Sequence, residues 1–308
     1  MAFKSGFVAV VGRPNAGKST LVNCLVGHKV AIVTEKPQTT RNRILGVVHR
    51  DEAQIVLIDT PGLIPAHTAL EKQMAEEIEQ ALEGIDLLAL IVDSAAPFRP
   101  GDRFALERIA RVPAKHFLLL NKIDRIEKEK LLPLMDLYRQ AHEFAEIIPV
   151  SALSGDGIPL LVERLVAHLP EGPAYFPPDM VTDQPERFLA AEIIREKAMQ
   201  ATRQEVPHAI AVLVDSFEES AKLVRIRGTV YCEREGQKGI LIGKSGATLK
   251  HIATQARLEI ESLLGVKVFL ELHVKVRRDW RDKPALVRQL DWRRQLEQLS
   301  QKQANSGE

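Results

Sequence analysis

Gly-Lys-Ser occurs twice in this 308-residue sequence, as Gly17-Lys18-Ser19 within GRPNAGKST and as Gly243-Lys244-Ser245 within GILIGKSG. Glycines let a loop turn its backbone N–H groups onto phosphate oxygens, a lysine adds positive charge, and a serine hydroxyl can ligate a divalent cation. In the first copy Gly12 stands where G-x-x-x-x-G-K-[ST] requires it, behind an apolar run and ahead of a helical pattern. Gly12, Arg13, Pro14, Asn15, Ala16, Gly17, Lys18, Ser19 and Thr20 are therefore expected to wrap nucleotide phosphates. Lys18 would reach the β- and γ-phosphates and Ser19 would ligate Mg²⁺. In the second copy that spacing needs a glycine at 238, where the chain has Lys238, and Gly236 and Gly239 are both misplaced. The second copy is not a nucleotide loop.

Four more stretches complete a guanine-nucleotide site. DTPG at 59–62 ends an apolar run, so Asp59 can hold Mg²⁺ through water while the Gly62 amide meets the γ-phosphate. QTTRN at 38–42 offers a threonine to the same ion, with Thr40 favoured over Thr39. NKID at 121–124 places Asp124 to accept both donors of guanine, N1–H and the 2-amino group, which adenine lacks. Asn121 would support the loop and the N7 edge, and the Lys122 stem would cover the base. VSAL at 150–153 brings Ser151, Ala152 and Leu153 to the base, with the Ala152 amide directed at O6. Together these predict GTP and GDP binding and GTP hydrolysis, with Lys18, Thr40 and Gly62 at the reacting phosphate. The glutamine that orients the attacking water in Ras-like enzymes is replaced by Leu63. Intrinsic hydrolysis is expected to be slow, with water held by backbone, by Thr40 or by a partner.

The second Gly-Lys-Ser is followed by Gly246, giving G-x-x-G between an apolar helical turn and an amphipathic helix. This is the loop of a KH domain, where two glycines admit the backbone of a single-stranded nucleic acid. Gly243, Lys244, Ser245 and Gly246 are the expected contacts, with Arg277, Arg278 and Trp280 from the nearby basic stretch KVRRDWRDK. A plain helix–turn–helix junction is the bland alternative. Net charge is only +1, but Lys238–Arg257 holds four basic and no acidic residues, and Lys275–Arg294 holds eight basic and three acidic. Local patches of this kind matter more to a polyanion than the total.

The elements that must position these loops follow from periodicity. FVAVV, AQIVLID, DLLALIVD, HFLLLN and EIIPVS are short apolar runs separated by helical patterns, the signature of a mostly parallel sheet covered by helices. ILGVVHR is separated from AQIVLID by Asp51-Glu52 alone, which fits an antiparallel hairpin. Five prolines within 170–186 interrupt the pattern. Beyond them the order is helix, two strands, a helix pair and a strand. The expected architecture is thus α/β: a phosphate-loop GTPase domain over 1–170, a Pro-rich linker over 171–186, an α+β KH domain over 187–290 and a polar extension over 291–308. No apolar run approaches the roughly 20 residues of a membrane span. The start does not read as a signal peptide, so a cytoplasmic location is expected. Cys24 and Cys232 lie in different domains, and neither a disulfide nor a zinc site is expected.

With GRPNAGKST, PQTTR, DTPG, NKID and SAL joined to GILIGKSG, the chain resembles the Era family of bacterial GTPases over about residues 4–290, with a KH domain of type II order. The resemblance implies binding of the 3′ end of 16S rRNA and a role in 16S rRNA processing and assembly of the 30S subunit. It also implies a cytoplasmic protein, associated at times with the inner membrane face. A monomer that does not act on DNA is expected. In some relatives an asparagine at the position of Asn15 helps bind K⁺. A membrane-surface signalling GTPase whose second domain binds protein or lipid is the alternative from another class.

Overall fold

The computed structural model describes residues 2–291 and 293, so the expected extension falls mostly outside the described residues. The described residues divide into two compact units, those up to 65 with 74–183, and 66–73 with those from 184 onward.

In the first unit, β1 (Lys4–Val11) leads into α1 (Lys18–Val26), and β2 (Ile44–Arg50) and β3 (Ala53–Asp59) form the expected hairpin. Then come α2 (Ala69–Leu82, whose residues up to 73 group with the second unit), β4 (Leu87–Asp93), α3 (Pro100–Ile109), β5 (Lys115–Asn121), α4 (Leu131–Ala141), β6 (Glu146–Pro149) and α5 (Ile158–His168). The sheet order is β2-β3-β1-β4-β5-β6, parallel except for β2. Central strands such as Leu87–Val92 are buried throughout, as a sheet covered on both faces requires. One core joins Leu21, Leu57, Phe117 and Leu165, and the other joins Leu63, Leu90, Leu106 and Tyr138. The parallel strands end at the same edge, so Val11, Asp59, Asp93 and Asn121 all deliver their following loops to one side.

The segment expected to be a linker is instead bound to this unit. Buried Gln54 accepts hydrogen bonds from the Tyr175 and Phe176 amides at 2.7 and 3.0 Å and donates to the Phe176 carbonyl at 2.8 Å. His49 Nε2 donates to the Met180 carbonyl at 2.8 Å, and the Val47 amide donates to the Val181 carbonyl at 2.9 Å. The Thr182 hydroxyl donates to the Leu45 carbonyl at 2.7 Å. Residues 173–182 therefore form a strap along the β2–β3 hairpin. Prolines exclude helix there but leave carbonyls and the remaining amides free to pair.

The second unit contains α6 (Glu186–Gln200), β7 (Ala211–Ser220), β8 (Leu223–Cys232), α7 (Glu235–Ile242), α8 (Ala247–Leu264), β9 (Lys267–Val276) and α9 (Pro284–Gln289). Its sheet runs β7-β8-β9, antiparallel then parallel. Ile194, Met199, Val212, Ile226, Leu241, Ile252 and Ile260 meet in its core. Cys24 and Cys232 are both free thiols.

Replacing Gln54 by Ala leaves three backbone groups of the strap unpaired beside a small cavity. It should destabilise the chain by about 2–4 kcal/mol in urea unfolding, with the loss concentrated in faster hydrogen exchange at Tyr175 and Phe176.

Candidate nucleotide site and nucleic-acid loop

The loop over Gly12–Gly17 leaves β1 and ends at the N-terminus of α1, with Lys18 as the first helical residue. Gly17 has φ of 100°, and a Cβ there would fall on the Asn121 side-chain amide. Only glycine satisfies both conditions. Asn121 itself ties two loops together. Its Nδ2 donates to the Ala16 carbonyl at 2.8 Å and its Oδ1 accepts the Ala152 amide at 3.0 Å. The base loop and the phosphate loop are therefore set by one buried side chain.

Lys18 is buried, with Nζ donating to the carbonyls of Gly12 and Arg13 at 3.2 and 3.1 Å. Burial pushes its ammonium down to about 8, opposed by the charge of Asp59. Asp59 is fully buried, and burial pushes its carboxyl up to about 6 against the pull of Lys18, Ser19 and Thr40. The Ser19 hydroxyl donates to Asp59 Oδ2 at 2.6 Å, Thr40 Oγ1 lies 3.3 Å from the same oxygen, and the two hydroxyls are 2.8 Å apart. Thr39 points elsewhere, to the Lys36 carbonyl at 2.7 Å and to Thr34. Asp59 Oδ1 is buried with no hydrogen-bond partner among the described residues. Two hydroxyls and a carboxylate with an unused oxygen make an all-oxygen donor set, which suits a hard divalent cation such as Mg²⁺.

On the base side, the Ser151 hydroxyl donates to Asp124 Oδ1 at 2.6 Å, fixing the carboxylate that would read guanine. Lys122 adopts φ of 65° and donates to the Asn15 carbonyl and to Asp93 Oδ2, each at 2.7 Å. Sequence reasoning missed Asp93, whose place at the end of β4 was the available signal. The Arg13 guanidinium turns to Asp102 on α3 at 2.9 Å. The Ala152 amide is engaged by Asn121, and Leu153 is 76% exposed beside it. Asn15 donates to the Glu35 carbonyl at 2.8 Å. Pro14 packs so closely that a Cβ at Gly62 would lie 2.7 Å from its ring, so the DTPG turn abuts the phosphate loop. Leu63 is buried in the second core while its amide donates to the Gly12 carbonyl at 3.0 Å.

In the second unit the G-x-x-G loop joins α7 to α8 as expected. Gly243 has φ of 72°, and a Cβ there would collide with Thr248. Lys244 and Ser245 are exposed at the tip, and Gly246, at φ of 80°, faces open space. Arg277 and Arg278 are exposed, and the Arg277 guanidinium lies 5.8 Å from the centre of the Tyr231 ring. Trp280 corrects the sequence reading: it is 2% exposed and its indole N–H donates to the Ala209 carbonyl at 2.8 Å. It is a core residue and cannot stack on a base.

This is a phosphate-loop GTPase domain followed by a KH domain. Residues 7–122 match the family model described as 50S ribosome-binding GTPase, and residues 205–281 match the KH domain model. The chain is 51% identical to GTPase Era of Syntrophus aciditrophicus (strain SB) over 292 residues, covering 94% of this chain and 95% of that one. It superposes with a TM-score of 0.91 on a variant of Era from Aquifex aeolicus bound to GDP.AlF4-, at 43% identity over 94% of this chain and 99% of that one. With the same identity and coverage it superposes, at a TM-score of 0.90, on Era in complex with MgGDPNP and nucleotides 1506–1542 of 16S ribosomal RNA. The chain belongs to the Era family of GTPases, and it is a GTP-hydrolysing enzyme.

Exchanging Asp124 for Asn puts an amide donor opposite the guanine 2-amino group. GTP affinity should fall by about 100-fold or more in nucleotide titrations, while xanthosine triphosphate, which carries an acceptor there, should gain.

Proposed function

We propose that the chain is a GTP-driven switch that binds the 3′ end of 16S rRNA through its KH domain and acts in 16S rRNA processing and assembly of the 30S subunit. The observation that carries the nucleotide half is the meeting of Ser19, Thr40 and Asp59, which brings the loop after α1 to the floor of the phosphate site. The RNA half is supported by the exposed Lys244 and Ser245 between two positive-φ glycines and by the relative that holds 16S rRNA nucleotides 1506–1542.

In this reading Ser19, Thr40 and Asp59 hold Mg²⁺, directly or through water, and the ion supplies charge neutralisation at the β- and γ-phosphates. Lys18 leaves its two carbonyl partners for the phosphates, where a depressed pKa of about 8 still keeps it mostly charged at neutral pH. Gly62 brings its amide to the γ-phosphate without a side chain to strike Pro14. Leu63 faces the core and offers no water-orienting group, so turnover is slow until Thr40, backbone or a partner fixes the water. K⁺ at Asn15 is a further element of the reading, in place of an arginine finger. Equal turnover in K⁺ and Na⁺ would leave Asn15 with only its bond to Glu35.

The route from Thr40 to the chain entering the second unit runs along the backbone and then across two hydrogen bonds. Thr40 lies four residues before β2 begins at Ile44, and β2 is bonded through Leu45 and Val47 to the strap that continues into α6. Nucleotide-dependent ordering at Thr40 thus reaches the chain entering the second unit. Linkage makes the effect reciprocal: if GTP tightens RNA, RNA tightens GTP. The protein acts in the cytoplasm, as a monomer, on RNA and not DNA, with any membrane association peripheral.

The decisive experiment titrates a 3′-terminal 16S rRNA fragment against the GTP-analogue and GDP forms. Different affinities are expected, and Gly246→Asp, which adds a carboxylate in open space, should weaken both by at least tenfold with GTP binding intact. Equal RNA affinity in the two forms removes the coupling, and unchanged affinity in Gly246→Asp removes the KH reading. Binding to anionic vesicles in place of RNA would favour the membrane-surface alternative.

A further inference from the structure

We propose that Asp102, outside every nucleotide motif, is a positioning residue for the phosphate loop in GTP hydrolysis. Asp102 stands in the first turn of α3 and is 5% exposed. Its Oδ2 accepts the Arg99 amide at 2.8 Å, which is an ordinary helix cap. The same oxygen also accepts Arg13 Nη1 at 2.9 Å, and Tyr138 lies near enough to the same carboxylate for burial, with the Asp102 charge added, to push its phenol pKa up. A cap needs neither of these neighbours. Gly101, next in the chain, lies close against the Arg13 side chain, and a Cβ there would come within 3.1 Å of Nε.

What the tether holds is the segment where the reacting parts meet. The Arg13 carbonyl accepts Lys18 Nζ, and the Gly12 carbonyl accepts both Lys18 Nζ and the Leu63 amide. Pro14 forms the wall against Gly62. Gly12–Pro14 is thus shared by the lysine and by the turn that must meet the γ-phosphate, and the Arg13 side chain anchors it to α3 through Asp102. Tyr138 of α4 shares a core with Ala105, Leu106 and Ile109 of α3, so the anchor stands on a packed helix. Asp102 is buried while Arg13 reaches the surface, so removing the arginine leaves a buried carboxylate without its cation. Small displacements of a reacting geometry cost large factors in rate.

The test measures steady-state GTP hydrolysis and melting temperature for Asp102→Asn, Arg13→Gln, the double variant and Ile109→Val. The last trims one buried methylene from the same helix and reports stability loss alone. Each of the first two should lower kcat about tenfold with KM for GTP within about twofold. The double variant should be no slower than the slower single, because both break one tether. Ile109→Val should lower the melting temperature and keep wild-type kcat. The proposal is overturned if Asp102→Asn lowers only the melting temperature, or if the two single effects on kcat multiply. Should Asp102→Asn fail to fold, Arg13→Gln, at a partly exposed residue, decides alone. A tenfold fall in kcat at unchanged melting temperature supports the tether, and wild-type kcat overturns it.

Discussion

A lysine and a carboxylate share the dry floor of the first unit, and the loops above them are arranged around that pair. Burial acts on both in the direction that discourages charge, lowering Lys18 and raising Asp59, while their mutual attraction opposes it. Neither would be kept in such surroundings for stability alone. They can be kept because parallel strands end at one edge, so that Asp59 and the loop from β1 arrive side by side with little backbone between them. Ser19 and Thr40 complete the floor from α1 and from the loop before β2. In the proposed reading, polyphosphate and a divalent cation carry the charges that complement this floor.

Much of this could be read in the sequence because the motifs are local and the sheet repeats them at fixed places. The alternation of apolar runs with helical patterns marked the parallel strands, and Asp51-Glu52 was too short for anything but a hairpin. The choice of Thr40 over Thr39 came from the sequence without a firm reason, and the geometry supplies one, since Thr39 is occupied by Lys36 and Thr34. Tertiary pairing was not legible. Trp280 sits in a basic stretch that looks solvent-facing, yet its partner is Ala209, 71 residues away. Arg13 lies inside the phosphate motif, yet its guanidinium is taken by Asp102, 89 residues on. Proline density marked the end of the first domain, but nothing local in 173–182 says that Gln54 and His49 wait for its backbone.

The two Gly-Lys-Ser loops show how little the letters decide. Around Lys18 the preceding glycines bend the chain so that the lysine is buried under its own carbonyls, and Asn121 locks the turn from across the sheet. Around Lys244 the glycines lie on either side of a tip whose lysine and serine stand in solvent. The first arrangement holds its lysine inside the loop. The second leaves a backbone bare enough for another polymer to lie against it.

The strap has one more consequence. β2 is the outermost strand on its side of the sheet, and an uncovered strand edge is a template for another chain. The Val181 carbonyl and the Thr182 hydroxyl occupy part of that edge at Val47 and Leu45. The opposite edge is blunted differently, by a β6 of four residues that ends in Pro149. The segment that leads the chain toward its KH domain therefore also covers part of an otherwise exposed strand edge. A chain cut at residue 170 would lose its connector and that cover together.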